Sequence, residues 1–147
     1  MPIKQSKSSK KANKKVLVVE DEPLLATMYM TVLKRVRADI YGARTKQEGE
    51  KIITRIQPDL ILLDLMIPST TIQDTQSDYH DPVGFQLLRE IRSDPKSKGT
   101  RVIILSNLDA DEHRKKAIQL GAIDYLVKAS YPPQAVADKV QGALDKG

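Results

Sequence analysis

Three consecutive acidic residues, Glu20, Asp21 and Glu22, follow directly after the apolar run VLVV at 16–19. Two like charges about 4 Å apart repel each other by roughly 4 kcal/mol near a protein surface, so such a cluster needs a compensating ligand. Mg²⁺ is suitable because it binds one or two carboxylates, keeps several waters and accepts phosphate oxygens. The cluster therefore predicts metal-assisted phosphate chemistry, in which an aspartate can itself be the nucleophile.

Polar side chains also end three later apolar runs. Asp64 follows LILL, Ser106 follows VIIL and Lys128 follows YLV. An ammonium, a hydroxyl and a metal held by carboxylates together match the three oxygens of a phosphoryl group. These side chains meet only if the runs are parallel strands, because the carboxyl ends of parallel strands share one sheet edge, where ligands bind.

The chain has the pattern that this arrangement requires. Short, mostly continuous apolar runs are typical of strands buried on both faces, and they alternate with segments of helical periodicity. The predicted strands are 16–19, 38–43, 60–63, 102–105 and 125–127. Five helices are predicted. The first begins after Pro23, the next three cover 46–56, 84–93 and 111–120, with Gly121 as the C-cap of the last of these, and the fifth begins near Pro132 or Pro133. This (βα)₅ order predicts an α/β fold with a doubly wound parallel sheet.

The positive net charge comes from the first residues of the chain. Six of the 24 basic residues lie in 1–15, which contain no acid, leaving 18 basic against 19 acidic residues in 16–147. The segment 1–15 has almost no apolar content, so we expect a disordered, solvated tail. An electrostatic hook for nucleic acid or an acidic surface is the alternative.

Composition narrows the class of protein. A length of 147 residues suggests one domain with a real core, and the absence of cysteine excludes disulfides and thiolate metal sites. No secretory signal or membrane-spanning apolar run is visible, so we expect a cytoplasmic protein.

Four motifs in order, VLVVEDEP, LILLDLMIP, VIILSN and GAIDYLVK, resemble the receiver domain of two-component response regulators. The resemblance covers 16–147. It implies a flavodoxin-like fold with a five-stranded parallel sheet in the order 2-1-3-4-5.

The resemblance also implies roles for the residues at the strand ends. Asp64 matches the phosphoacceptor, Asp21 the direct ligand of Mg²⁺, and Glu20 its indirect partner. Met66 would offer its backbone carbonyl to the metal.

Three further residues match the response to phosphorylation. Ser106 corresponds to the hydroxyl that follows the phosphoryl group, Lys128 to the active-site lysine, and Tyr125 to the aromatic that moves on activation. A simple cap of the fourth helix is the alternative role for Ser106.

Two features depart from the family pattern. Ala129 follows Lys128 where the family has proline, and we expect a trans bond because a cis bond without proline costs ~2.5–4 kcal/mol.

The second departure is an insertion of about a dozen residues at roughly 69–83. Three interpretations are open for it: a surface loop without a role, a flap that folds over the site, or a docking surface for the kinase. The residues singled out within it are Tyr79 as an anchor, Asp74 and Asp78 as negative charges, and His80 as an unfavoured metal ligand.

Two polar residues outside these motifs are expected to face solvent. Glu22 continues the acid run, and His113 lies early in the fourth helix.

The resemblance implies a single-domain response regulator and not an enzyme acting on a separate substrate. A sensor histidine kinase or histidine phosphotransfer protein would phosphorylate Asp64 with Mg²⁺, and the receiver would catalyse its own dephosphorylation. The conformational change would reach a downstream protein through the face made by the fourth helix, fifth strand and fifth helix. We expect no effector domain after the fifth helix, and therefore output by binding another protein or by passing the phosphoryl group on.

Three alternatives stay open at this point. The chain can be a phosphorelay intermediate, or an adaptor that binds nucleic acid through its tail. An aspartyl-phosphate phosphatase of the haloacid dehalogenase type is remote, because Asp64-Leu65-Met66 lacks the second acid of its D-x-D pattern.

Overall fold

Five parallel strands form one sheet at the centre of the computed structural model, which describes residues 13–70 and 81–146. The strands are β1 (Lys15–Val19), β2 (Asp39–Ala43), β3 (Leu60–Leu63), β4 (Arg101–Ser106) and β5 (Asp124–Val127). The helices are α1 (Pro23–Val32), α2 (Lys46–Ile56), α3 (Val83–Ser93), α4 (Asp111–Gln119) and α5 (Pro133–Asp145). The sheet order β2-β1-β3-β4-β5 confirms the predicted fold.

Both faces of the sheet are covered, which explains the continuous apolar strands. Side chains alternate along each strand, so Leu17 packs on the side of α2, α3 and α4, while Val18 packs on the side of α1 and α5. Phe85 and Tyr125 are buried aromatic residues of the first core, and Tyr29 is the buried aromatic residue of the second. None of the helices in these residue ranges combines the length and apolar character needed to cross a bilayer.

Helix ends follow from capping chemistry. The carboxylate of Glu22 accepts a hydrogen bond from the amide of Leu24 at 2.8 Å and caps α1. Glu22 is half-buried and hydrogen-bonded, so the expectation of a simply solvated side chain was wrong. The reason is that the first amides of a helix need acceptors, and Glu22 supplies one. Gly121 follows α4 with φ of +84°, the left-handed conformation predicted for it.

The folded part of the chain includes the last residues of the predicted tail. β1 starts at Lys15, whose amide donates to the carboxylate of Asp59 at 2.8 Å. The carbonyl of Lys14 accepts from the amide of Asp39, and the side chain of Asn13 donates to the Asp39 carboxylate. Residues 13–15 thus form the amino end of β1 and its contacts with Asp39 and Asp59, and the predictions for 1–12 lie outside the described residues.

The described ends of the insertion are attached to different helices. The amides of Lys46 and Gln47, at the start of α2, donate to the carbonyls of Pro68 and Ser69 at 3.0 and 2.9 Å. At the other end, Asp81 accepts hydrogen bonds from Arg89 of α3 and Lys116 of α4. The predictions made for Asp74, Asp78, Tyr79 and His80 lie outside the described residues.

One arginine holds together the loops at the amino ends of the last two strands. Arg92 donates to four backbone carbonyls, those of Lys98, Thr100, Leu120 and Gly121, at 2.7–3.0 Å. Burial lowers the pKa of its guanidinium, which stays charged because an arginine pKa starts so high.

We expect Arg92→Met to lower the free energy of unfolding by about 2–4 kcal/mol, because four carbonyls lose a charged donor together. Urea denaturation monitored by circular dichroism measures this change. The matched control is Arg55→Met, at an exposed position of α2, which should stay within about 0.5 kcal/mol of wild type. Equal losses in the two variants would show that the carbonyl contacts contribute nothing specific.

Candidate functional site

Four of the polar residues that follow strands, Glu20, Asp21, Asp64 and Lys128, lie close together at the carboxyl edge of the sheet. Lys128, after β5, places its Nζ 2.6 Å from Oε1 of Glu20 and 2.7 Å from Oδ2 of Asp64. The Glu20 and Asp64 side chains are only 3% and 7% exposed. The ammonium group of Lys128 therefore bridges two buried carboxylates, Glu20 and Asp64, that are far apart in the sequence.

The third acid of the site, Asp21, brings the cluster to three carboxylates. One oxygen from each of Glu20, Asp21 and Asp64 lies within 4.8 Å of the others. Burial and, secondly, the charge of Asp64 raise the pKa of Glu20 to about 7 and also raise the pKa of Asp21. Since one lysine cannot neutralise three carboxylates, the residues fit a hard divalent cation.

Lys128 stays charged in this setting. Burial alone would lower its pKa, but the charges and hydrogen bonds of Asp64 and Glu20 outweigh burial and hold the pKa above its usual value. The lysine is thus a permanent positive charge beside Asp64.

Local backbone geometry orients the acids. The second oxygen of Asp64 accepts from the amide of Met66 at 3.1 Å, and the second oxygen of Glu20 accepts from the amide of Glu22 at 3.1 Å. Each carboxylate therefore has one oxygen on Lys128 and one on its own loop. The Met66 amide, two residues after Asp64, faces the carboxylate; a metal-binding role for its carbonyl stays a prediction.

A close approach of two backbones supports the Asp64 loop. The amide of Gly84, in the first turn of α3, donates to the carbonyl of Leu65 at 2.9 Å. A Cβ atom at residue 84 would lie 2.5 Å from Cα of Leu65 and 2.6 Å from the carbonyl oxygen of Asp64. The sequence pattern places Gly84 at a predicted helix start but carries no signal for this close contact.

Ser106 and Tyr125 meet at the loop that follows β4. The hydroxyl oxygen of Ser106 accepts from the amide of Leu108 at 3.3 Å, and the Tyr125 hydroxyl donates to the Leu108 carbonyl. The ring of Tyr125 is buried, with the guanidinium carbon of Arg114 5.1 Å from its centroid. Ser106 does not cap α4, because the N-cap is Ala110.

Sequence reasoning missed two residues that border the site. Arg44, directly after β2, donates to the backbone carbonyl of Asp21 at 3.3 Å. Asn107 accepts from the amide of Ala129 at 3.0 Å and so fixes the turn after Lys128, where the Lys128–Ala129 bond is trans as expected. Both residues had a visible signal in the sequence. Arg44 is the polar residue that follows β2, and Asn107 comes one residue after Ser106 at the end of β4.

The expectation for His113 was wrong. The residue is 2% exposed, and its ring stacks on Phe85 with centroids 6.2 Å apart and planes at 25°. His113 and the buried Ala117 are one helical turn apart, so both face the sheet. This spacing was a visible signal, and an imidazole is apolar enough to pack flat against an aromatic ring.

We expect Lys128→Met to cost about 2–3 kcal/mol of unfolding free energy, because it leaves Glu20 and Asp64 buried without a countercharge. Breaking a buried pair typically costs ~3–5 kcal/mol, but proton uptake by Glu20 relieves part of that cost. Chemical denaturation measures the change, with the exposed Lys51→Met as control. A stability equal to that of the control would contradict the bridging role.

The family model for the response regulator receiver domain matches residues 16–141. The phosphate regulon transcriptional regulatory protein PhoB of Pseudomonas aeruginosa is 27% identical over 124 residues. The match covers 84% of this chain and 49% of PhoB, so the chain spans about half the length of that relative.

Solved structures agree with this assignment. The CheY-like receiver domain protein of Methanospirillum hungatei JF-1 has a TM-score of 0.75 with 92% of this chain and 96% of that chain covered, and at 21% identity it shows the fold. The phosphorylated cyanobacterial phytochrome response regulator RcpA is 26% identical, with a TM-score of 0.69 and coverage of 90% and 91%. The chain therefore belongs to the response regulator receiver domain family.

Proposed function

We propose that Asp64 accepts a phosphoryl group from a phosphohistidine on a sensor kinase or phosphotransfer protein. The observation that carries this proposal is the buried Asp64 carboxylate, which lies against Lys128 and beside the acid pair Glu20 and Asp21. A carboxylate oxygen of Asp64 attacks phosphorus, an O–P bond forms and the P–N bond breaks. The electron pair of that bond stays on the imidazole of the donor.

Glu20, Asp21 and Asp64 are the side chains that would hold Mg²⁺, with Met66 contributing its carbonyl. The ion would supply positive charge to the phosphoryl oxygens. Asp21 suits a direct ligand because the structure gives its carboxylate no ion pair with any residue between 13 and 70 or 81 and 146. Glu20, by contrast, is held by Lys128 and suits an indirect role.

Lys128 and Ser106 bind the phosphoryl group in this proposal. Lys128 is already within 2.7 Å of the Asp64 carboxylate and neutralises charge that builds up on the transferring group. Ser106 would donate its hydroxyl to a phosphoryl oxygen, while the same hydroxyl oxygen accepts from the amide of Leu108 in the loop after β4. The carbonyl of Leu108 in the same loop accepts a hydrogen bond from the Tyr125 hydroxyl. The loop would therefore link phosphorylation of Asp64 to the face made by α4, β5 and α5, where a downstream protein would bind.

The sequence-based alternatives keep their place beside this proposal. Passing the phosphoryl group on to a second histidine uses the same Asp64 chemistry in reverse. Self-catalysed dephosphorylation and a cytoplasmic location remain predictions from the sequence.

The test is labelling of the full chain with a small phosphodonor such as acetyl phosphate, with and without Mg²⁺. We expect one acid-stable, base-labile phosphoryl group, formed only with Mg²⁺ and mapped to Asp64 by peptide mass spectrometry. Asp21→Asn should require a much higher Mg²⁺ concentration, because a charged ligand is lost. Labelling of a serine or histidine, or labelling independent of divalent cations, would refute the proposal.

We expect slow loss of the phosphoryl group because Met66 and Leu108 flank its position. Both are half-buried, and neither side chain can orient an attacking water by hydrogen bonding. The double variant Met66→Asn and Leu108→Asn should speed hydrolysis by about tenfold, in the low range of general-base effects. Phosphoprotein half-life after donor removal measures this, and an unchanged half-life would show that water access at these residues is not the control.

A further inference from the structure

The acid cluster lies between two cationic side chains. Lys128, after β5, bridges Glu20 and Asp64. Arg44, the residue directly after β2, lies on the other side, and its Nη2 donates to the backbone carbonyl of Asp21 at 3.3 Å. In the sheet order β2-β1-β3-β4-β5, the two strands that precede the acids lie between the two strands that precede the cations. The cluster therefore has a positive charge on each side.

The two cations differ in how far their hydrogen-bonding capacity is used. The ammonium of Lys128 contacts two carboxylates, at 2.6 and 2.7 Å. The guanidinium of Arg44 has five N–H donors, but among residues 13–70 and 81–146 it forms one hydrogen bond, to the Asp21 carbonyl, and no ion pair. Its Nε is buried and has no hydrogen-bond partner among the same residues. Because a buried donor without a partner is unfavourable, this arrangement indicates that a ligand completes the hydrogen bonding of Arg44.

The backbone of Arg44 is fixed by the start of α2. Thr45, which is 2% exposed, is the N-cap of α2 and accepts from the amide of Glu48 at 3.1 Å. The Glu48 carboxylate in turn accepts from the amide of Arg44 at 2.7 Å. On the preceding side, the carbonyl of Ala43 accepts from the amide of Glu20 at 3.0 Å. Arg44 is thus anchored to rigid parts of the site, which lowers the entropic cost of using it to bind a ligand.

An open cavity between α1 and the end of β2 gives a ligand access to Arg44. Its lining includes Arg44, Glu20, Pro23 and Thr27. The guanidinium is also close enough to act on the acid cluster. Burial is the main influence on the pKa of Asp21 and raises it, and the positive charge of Arg44 acts in the opposite direction. A ligand bound by Arg44 therefore lies beside the acids that would hold Mg²⁺.

We propose that Arg44 binds a phosphoryl oxygen of the phosphodonor as it approaches Asp64 and so determines the affinity for the donor. This inference rests on the proposed phosphorylation of Asp64. A phosphoryl group carries about two negative charges on three acceptor oxygens, so Arg44 adds a contact to those of Mg²⁺, Lys128 and Ser106 and replaces none of them. The planar fork of a guanidinium matches phosphate oxygens with two parallel N–H donors. Lys128 is held by two carboxylates, whereas Arg44 has donors left for the incoming anion.

The test is the rate of labelling of the full chain at increasing concentrations of phosphoramidate, at saturating Mg²⁺. Arg44→Met should raise the phosphoramidate concentration that gives the half-maximal rate by about tenfold, the equivalent of one charge-assisted hydrogen bond. The maximal rate should stay within about twofold of wild type, because the contact is the same before and during transfer. Arg44→Lys keeps the charge but not the fork, and its half-maximal concentration should lie between those of Arg44→Met and wild type. The matched control, Arg55→Met, removes the same charge from an exposed position of α2 and should behave as wild type.

A merely structural role of Arg44 predicts a different result for the metal. If Arg44 only held the carbonyl of Asp21, Arg44→Met would disturb a metal ligand and weaken Mg²⁺ binding. As a donor-binding cation it repels Mg²⁺, so we expect Arg44→Met to bind Mg²⁺ at least as tightly as wild type. An NMR titration with Mg²⁺ alone measures this affinity. Weaker Mg²⁺ binding, or a lower maximal rate with an unchanged half-maximal concentration, would overturn the proposal.

Binding of inorganic phosphate to the full-length Asp64→Asn variant separates this inference from the proposed function, since that variant has no acceptor carboxylate. With Mg²⁺ present throughout, phosphate should shift the ¹⁵N resonance of the Arg44 Nε, which is identified by its loss in Arg44→Met. If labelling of wild type failed and this shift occurred, the acceptor assignment would be wrong and the anion site at Arg44 would stand. If labelling succeeded but phosphate gave no shift and Arg44→Met kept the wild-type half-maximal concentration, Arg44 would not be a binding residue.

Discussion

Asp64→Asn is expected to abolish phosphoryl incorporation while leaving the fold as stable as wild type. Asparagine has the shape of aspartate but lacks the anionic oxygen that attacks phosphorus. The variant loses the ion pair between residue 64 and Lys128, but the cost in stability is limited because Lys128 keeps its 2.6 Å contact with Glu20. The change also removes one of three crowded negative charges, so we expect an unfolding free energy within about 1 kcal/mol of wild type.

Labelling with a small phosphodonor and urea denaturation, done on the same preparations, separate these two effects. The control is Asp109→Asn, an exposed acid in the loop between β4 and α4, which should be labelled like wild type. Labelling of the Asp64 variant would move the acceptor to another residue. A loss of several kcal/mol of stability without Asp64 would mean that its carboxylate has a structural role instead.

Gly84→Ala is expected to impair both stability and phosphorylation, because the new methyl group meets backbone and not flexible side chains. Its Cβ would lie 2.5–2.9 Å from atoms of Asp64 and Leu65, far inside normal contact distance. Either α3 or the Asp64 loop has to move, and overpacking of this kind costs about 1–3 kcal/mol or more. A displacement of about 1 Å at a reacting group can cost about 100-fold in rate, so we expect at least a tenfold slower labelling rate.

The control for this variant is another helical glycine. Gly142 lies inside α5, and apart from its chain neighbours and the backbone of its own helix no atom of the described residues would lie within 4 Å of a Cβ at this position. Gly142→Ala should raise the unfolding free energy by up to about 1 kcal/mol, through helix propensity, and leave labelling unchanged. Wild-type labelling of Gly84→Ala would show that the contact with the Asp64 loop is not needed to position the acceptor.

Much of the site was predictable from local patterns in the sequence. Continuous apolar runs identified strands buried on both faces, and the residue after each run marked the carboxyl edge. This reasoning placed Glu20, Asp21, Asp64 and Lys128 together, because parallel strands bring their ends to one edge whatever the loops do. The sheet order came from the family resemblance and not from the pattern, since hydrophobic periodicity carries no information on which strands are neighbours.

Tertiary packing decided the contacts between residues that are distant in the sequence. The bridge from Lys128 to Asp64 joins residues 64 positions apart, and the Arg92 contacts join α3 to the loop after α4. The burial of His113 on Phe85 and the approach of Gly84 to Leu65 also depend on how α3 and α4 settle on the sheet. Local periodicity determines which face of an element turns inward, but partners and distances follow from the close packing of all the elements at once.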